Sequence, residues 1–195
     1  MTKLLISAAL AAAVIAPSAA SAQAVPPAVI AVVDLERVTA ACNSCKTANA
    51  ALTSQVNSLK SREQALSTPL QTEGKSIQAA IDALQGKEPD AALQARVKAF
   101  QAKQQSGAAE LQRQQQQIQR NQAYIQQQIQ AKLSPIYQSV MQRRGANVLM
   151  EVGSTLATTT SVDVTNDVVA ALNTALPSIS TNAPAQAQPQ KPQGR

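Results

Sequence analysis

The sequence predicts an α+β protein, predominantly helical, in which a long antiparallel helical hairpin leaves a small β-sheet body. Three observations carry this. Apolar residues recur at three- and four-residue spacing through two long stretches. Leu52, Val56, Leu59, Leu66, Leu70, Ile77 and Leu84 lie on the first, and Leu93, Val97, Phe100, Leu111, Ile118, Ile125, Ile129, Ile136 and Val140 on the second, each forming one face of a helix. Gln85-Gly86-Lys87-Glu88-Pro89-Asp90 is the only dense turn cluster between them. Short β-branched runs flank this region on both sides. Aromatic residues make up 2% of the 195 residues while apolar residues make up 45%. A thin, elongated body fits that shortage of large side chains better than a compact enzyme core does.

Residues 1–22 have the pattern of a cleavable signal peptide. Lys3 precedes the uncharged run Leu4 to Ile15, Pro17 breaks it, and Ala20-Ser21-Ala22 supplies small residues before Gln23. The run is shorter than the ~20 residues a membrane-spanning helix needs. Residues 23–28 form a spacer. Residues 29–37 and 145–176 are assigned to a β-rich oligomerisation body with a C-terminal helix, whose strand residues include Ile30, Val32, Val148 and Met150. Thr155 to Thr159 has strand composition and adds a third candidate strand. Thr165 is the expected N-cap of a helix with Val168, Val169, Leu172 and Leu176 on its apolar face. The helical hairpin takes 38–144 with its turn at about 85–90, and the Pro/Gln/Ala-rich residues 177–195 read as a disordered tail. Three short strands and one helix are too little for a stable core, so the body is expected to be completed by further copies of the chain.

The hairpin carries three peculiarities. Its charge is lopsided: from Ala91 to Arg144 the basic residues Arg96, Lys98, Lys103, Arg113, Arg120, Lys132, Arg143 and Arg144 face a single acid, Glu110, in a chain of net charge +6. Such a face suits acidic or anionic partners, and export leaves nucleic acid the least suited of them. Its seam is rich in Gln, from Gln112 to Gln130, where a dry coiled coil would carry Leu. Helix breakers also face one another: Pro69 falls opposite Gly107, which suggests a joint in the arm.

Chemistry is nearly excluded. The chain has no His, which removes the Ser-His-Asp and Cys-His arrangements and most catalytic zinc sites. No Gly-rich loop follows a strand, and the carboxylates are scattered, so neither a nucleotide cofactor nor an acid/base pair is indicated. No cofactor and no enzyme activity are expected. Cys42 and Cys45 remain, in Cys-Asn-Ser-Cys. They could form a local disulfide, stay reduced or pair between chains, or act as a redox couple.

Ile30 to Val38, the Gln-rich hairpin, Val148-Leu149-Met150-Glu151 and Asp163 to Val169, behind a signal peptide, resemble the Skp/OmpH family of periplasmic chaperones. The resemblance runs from about Val29 to Leu176, and its two ends are the specific part. It implies a homotrimer with a β-sheet body and three helical tentacles around a cavity. It also implies ATP-independent holding of unfolded outer-membrane proteins, with Arg96, Lys98, Lys103, Arg113, Arg120 and Lys132 as candidate client-facing residues. Some members are credited with binding lipopolysaccharide, an anionic lipid partner whose basic cluster has no residue-by-residue match here. The chain departs from the family in its cysteine pair and in its Pro/Gln tail. Two other readings of the residues stand beside this one: a structural periplasmic coiled-coil adaptor, and a thiol-disulfide protein.

Overall fold

The structure is a computed structural model and describes residues 25–184; the signal peptide assigned to 1–22 lies outside them. In chain order come β1 (Ile30–Val33), α1 (Leu35–Ala41), α2 (Asn43–Asp82), α3 (Ala91–Arg144), β2 (Val148–Glu151), a 3-10 turn (Val152–Ser154) and α4 (Thr165–Ala175). The architecture is the α+β hairpin-on-a-body that the periodicity predicts. With 40 and 54 residues, α2 and α3 are about 60 and 80 Å long at 1.5 Å per residue.

Each boundary has a local cause. Asp34 caps α1 by accepting from the backbone N–H of Arg37 at 2.8 Å. A single helix was expected to run on from there. Instead the backbone turns extended at Cys42, which closes α1 and caps α2, its Sγ accepting from the N–H of Cys45 at 3.2 Å. At the far end Gln85 and Gly86 take positive φ to reverse the chain, and Asp90 caps α3 through the N–H of Leu93 at 2.7 Å. Gly145, at φ 66°, ends α3 in the left-handed conformation that spares a glycine its Cβ clash.

The body is built by long-range pairing. β1 and β2 run parallel, with Ile30 opposite Val148 and Val32 opposite Met150. The second edge of β1 is met by 162–164: Val32 N–H donates to Val162 C=O at 2.8 Å, and Val164 N–H to Val32 C=O at 2.9 Å. Thr155 to Thr159 form no strand, contrary to their composition. β1 has only two edges, both are taken, and Leu156 is left fully in solvent. Below the sheet, Ala31, Val33, Val38, Leu133, Ile136, Val140, Val164, Val168 and Leu172 form one buried cluster. Four elements far apart in sequence thus share one core.

α4 begins differently from the sequence expectation. Thr165 is the first helical residue and is fully buried. Its Oγ1 accepts from the N–H of Asp34 at 2.9 Å, tying the start of α4 to the start of α1. Asp163 does the capping, accepting from the N–H of Thr165 at 2.8 Å. The bonds from Thr165 and the nearby Arg37 guanidinium hold the Asp163 carboxyl below the usual carboxylate range. Residues 177–184 are also not the disordered segment their composition suggests: Ile179 packs against the core and 180–183 bond to the hairpin. Residues 185–195 lie outside the described structure.

Two outcomes follow. Leu172→Ala should cost about 2–5 kcal/mol in urea denaturation, while Thr174→Ala on the exposed face of α4 should stay within about 0.5 kcal/mol. Asp163 is more acidic folded than unfolded, so its contribution is complete above pH ~4, the ordinary carboxylate value, and is lost as pH falls through the lower folded value. Denaturation midpoints between pH 2 and pH 7 should therefore fall less steeply at the acid end for Asp163→Asn than for the wild type.

Candidate functional site

The arm carries most of the residues singled out in the sequence. Its seam follows the predicted stripe but is thin: Ile77, Ile125, Leu133, Ile136 and Val140 are buried, whereas Leu52, Val56, Leu59, Leu66, Leu70, Leu93, Val97, Phe100, Leu111 and Ile118 are only half-buried. Two helices side by side leave each apolar stripe open along its flanks. Polar residues enter the seam where the arm nears the body. Asn121 is 2% exposed, donating through Nδ2 to Gln55 Oε1 at 2.8 Å and accepting from Gln117 Nε2 at 2.8 Å.

Pro69 and Gly107 do lie at one level of the arm. They share a groove of about 350 Å³ with Leu66, Leu70 and Ser106, bounded by the ion pairs Arg62–Glu110 and Lys103–Glu73 at 2.7 and 2.9 Å. Neither α2 at Pro69 nor α3 at Pro135 is interrupted. The glycines act as sockets. Gly107 is buried under Leu66, with 3.6 Å from an ideal Cβ to the nearest leucine carbon, and Gly74 receives the Phe100 ring at 3.2 Å. Each large side chain sits where the opposite helix has none. Proline 69 removes the N–H that would have bonded the C=O of Ala65 and so leaves one helical bond missing beside this groove.

The basic residues divide. Lys103 is neutralised by Glu73, and Arg96 donates to Ser76 Oγ at 2.7 Å across the seam. Arg120 is half-buried and donates to Gln117, with its Nε unpartnered among the described residues. Lys98, Arg113 and Lys132 are exposed and make no ion pair among the described residues. Glu110, the lone acid of α3, is bonded twice by Arg62, which holds its carboxyl below the usual range. The free positive field of the arm thus comes from fewer residues than the sequence count implies.

At the root of the arm the sulfurs of Cys42 and Cys45 are bonded to each other, with their Cα atoms 5.2 Å apart. Both residues are fully buried, and Ser44 between them donates to the C=O of Leu176 at 2.7 Å. The pair is enclosed where α1, α2 and the end of α4 meet. Of the body residues, Val32 is buried within the chain, Val148 and Met150 are half-buried, and Ile30 is exposed. Among the described residues no helix is long and apolar enough to cross a membrane, and no cluster of three or more His, Cys, Asp or Glu could hold a metal ion.

Residues 29–172 match the family of outer membrane proteins described as OmpH-like. The chain belongs to that family. A solved structure of a candidate outer membrane chaperone (OmpH-like) from Caulobacter crescentus CB15 superposes with a TM-score of 0.67, at 20% identity, over 84% of this chain and 96% of that one. At that identity the likeness speaks for the fold. No curated protein matches the sequence.

Because the Gly107 socket leaves ordinary van der Waals room for a methyl group, Gly107→Ala should stabilise the arm. The gain in helix propensity is about 1 kcal/mol, readable as a rise in the urea midpoint of helical ellipticity.

Proposed function

We propose that this OmpH-like protein is a periplasmic, ATP-independent holdase. It would keep unfolded outer-membrane β-barrel proteins from aggregating, in a cavity between basic arms of a homotrimer. The observation that carries the reading is the arm itself: two helices of about 60–80 Å packed through a half-buried, polar-interrupted seam, with Lys98, Arg113 and Lys132 exposed and without an ion pair among the described residues. A rod built only to bridge two partners would be better served by a dry Leu seam. A surface with many weak apolar and cationic contacts suits a client that has exposed apolar segments and acidic charge. Weak contacts release without an energy source.

Trimer formation has its own support. Val29, Ile30, Val152 and Leu156 leave apolar surface uncovered on the body. A groove of about 340 Å³ lined by Leu35, Tyr137, Met141, Leu149 and Met150 opens beside them. The Tyr137 hydroxyl there is raised above its usual pKa by burial and by Glu151, so it enters as a neutral, mostly apolar wall. Further copies of the chain would close this surface. The signal peptide of residues 1–22 would deliver the chain to the periplasm, where anionic lipid or lipopolysaccharide is a further partner for the same cations. The buried disulfide favours a structural staple over the thiol-disulfide reading, since exchange requires access to a sulfur.

The test is an aggregation assay with a urea-denatured outer-membrane β-barrel protein, run beside a mass measurement of the assembly. A trimer that suppresses light scattering is expected; a monomer without suppression refutes the reading. Suppression should weaken from 50 to 500 mM salt and in the triple variant Lys98→Gln/Arg113→Gln/Lys132→Gln, because exposed charges are screened beyond about 10 Å at 0.1 M. Equal client affinity at both salt concentrations removes the electrostatic part. Pro69→Ala/Gly107→Ala should stiffen the arm, and small-angle scattering should then show a smaller change in cavity dimensions on client binding than in the wild type.

A further inference from the structure

Past α4 the chain returns to the arm. Leu176 is buried, Ile179 packs against the core, and residues 180–183 cross the root of the hairpin seam. Ser180 N–H donates to Gln128 Oε1 at 3.0 Å, and Gln128 Nε2 donates back to Ser180 C=O at 2.8 Å. Gln55 Nε2 donates to Thr181 C=O at 3.4 Å, and Ala183 N–H donates to Asn121 Oδ1 at 2.8 Å.

All four bonds end on backbone atoms of this segment. A primary amide carries a donor and an acceptor side by side, so Gln128 offers Ser180 what a neighbouring β-strand would offer it. Such pairing recognises an extended chain and tolerates its sequence. The amides bond one another and the arm, Asn121 to Gln55 and Gln117 and Gln128 to the C=O of Tyr124, and they keep the remaining capacity that the segment takes up. Nor does the site end with the segment. Beyond Asn182 a groove of about 290 Å³ continues along the arm, lined by Ser54, Ser58, Gln114 and Gln117 over Ile118.

We propose that the seam framed by Gln55, Asn121 and Gln128 is a binding site for extended polypeptide backbone. Residues 177–184 are its tethered resident, and an unfolded client segment with a branched apolar anchor followed by small residues displaces them. The geometry stands by itself; the identity of the natural ligand rests on the holdase reading. Tethering next to Leu176 gives the resident an effective concentration on the order of millimolar, so modest intrinsic affinity suffices to keep it in place. A client that engages the arms at many other points competes with it on equal terms.

The test uses the full chain and a fluorescent peptide of residues 177–184, Pro-Ser-Ile-Ser-Thr-Asn-Ala-Pro, followed by anisotropy. Ser180→Pro removes the N–H bonded to Gln128, and Ala183→Pro, a second and independent release, removes the one bonded to Asn121. If the resident fills the site nine parts in ten, either release should tighten peptide binding about tenfold over the wild type. Adding Gln128→Ala should abolish that binding. Peptide affinity equal in wild type and both release variants, or unaffected by Gln128→Ala, overturns the proposal. Wild-type aggregation suppression is measured in parallel. Peptide binding without suppression removes the chaperone reading and keeps the groove, whereas suppression without peptide binding in the release variants removes the groove alone.

Discussion

The structure depends on one constraint, the parallel pairing of two four-residue strands whose partners are more than a hundred residues apart. Parallel strands cannot be joined by a tight turn. The intervening chain must leave β1 at one end and come back to start β2 beside the beginning of β1. Here the whole hairpin is that crossover. α3 therefore has to run past the sheet before Gly145 turns it, and its last turns supply Leu133, Ile136 and Val140 to the core. The return arm is the longer one for this reason.

Body and arm consequently obey different packing rules. In the body, buried apolar side chains are enclosed by four elements, and the polar groups that enter, Thr165 and Asp163, have partners. In the arm there are only two helices, so most of the seam is half-buried, and full burial is reached only at points such as Ile77, Gly107 and Ile125. The sequence answers with sockets at Gly74 and Gly107, cross-arm ion pairs, and amides in place of Leu. Near the root the amides are satisfied by the chain's own backbone. Nearer the tip the described residues supply no such cover, and the surface is left to whatever binds it.

Much of this was legible in the residues. The hairpin, its turn and both flanking strands follow from spacing and from turn chemistry at Gln85 to Asp90, because a 3.6-residue period and a chain reversal are local properties. Four features were not legible. Thr155 to Thr159 have strand composition, but pairing depends on a free edge that β1 no longer has. Residues 177–184 have the composition of disorder, yet their order comes from the anchor Ile179 and from backbone bonds that no composition reports. The cation count on α3 overstated the free charge, since Glu73 on the other arm pairs with Lys103 and Asp167 of α4 with Arg144. Cys42 stood out by its spacing, whereas its role as the residue that ends α1 and caps α2 follows from a backbone turn that the motif does not encode.

The long-range core has a consequence for the order of events during biosynthesis. Residues 31–45 find their long-range core partners among residues 129–179. A growing chain holding the first hundred residues has a strand without a neighbour and an arm without its return. The body cannot lock until α4 has been made, and high sequence separation of this kind also slows closure. On the export proposed above, such lateness would keep the chain threadable while it crosses the membrane.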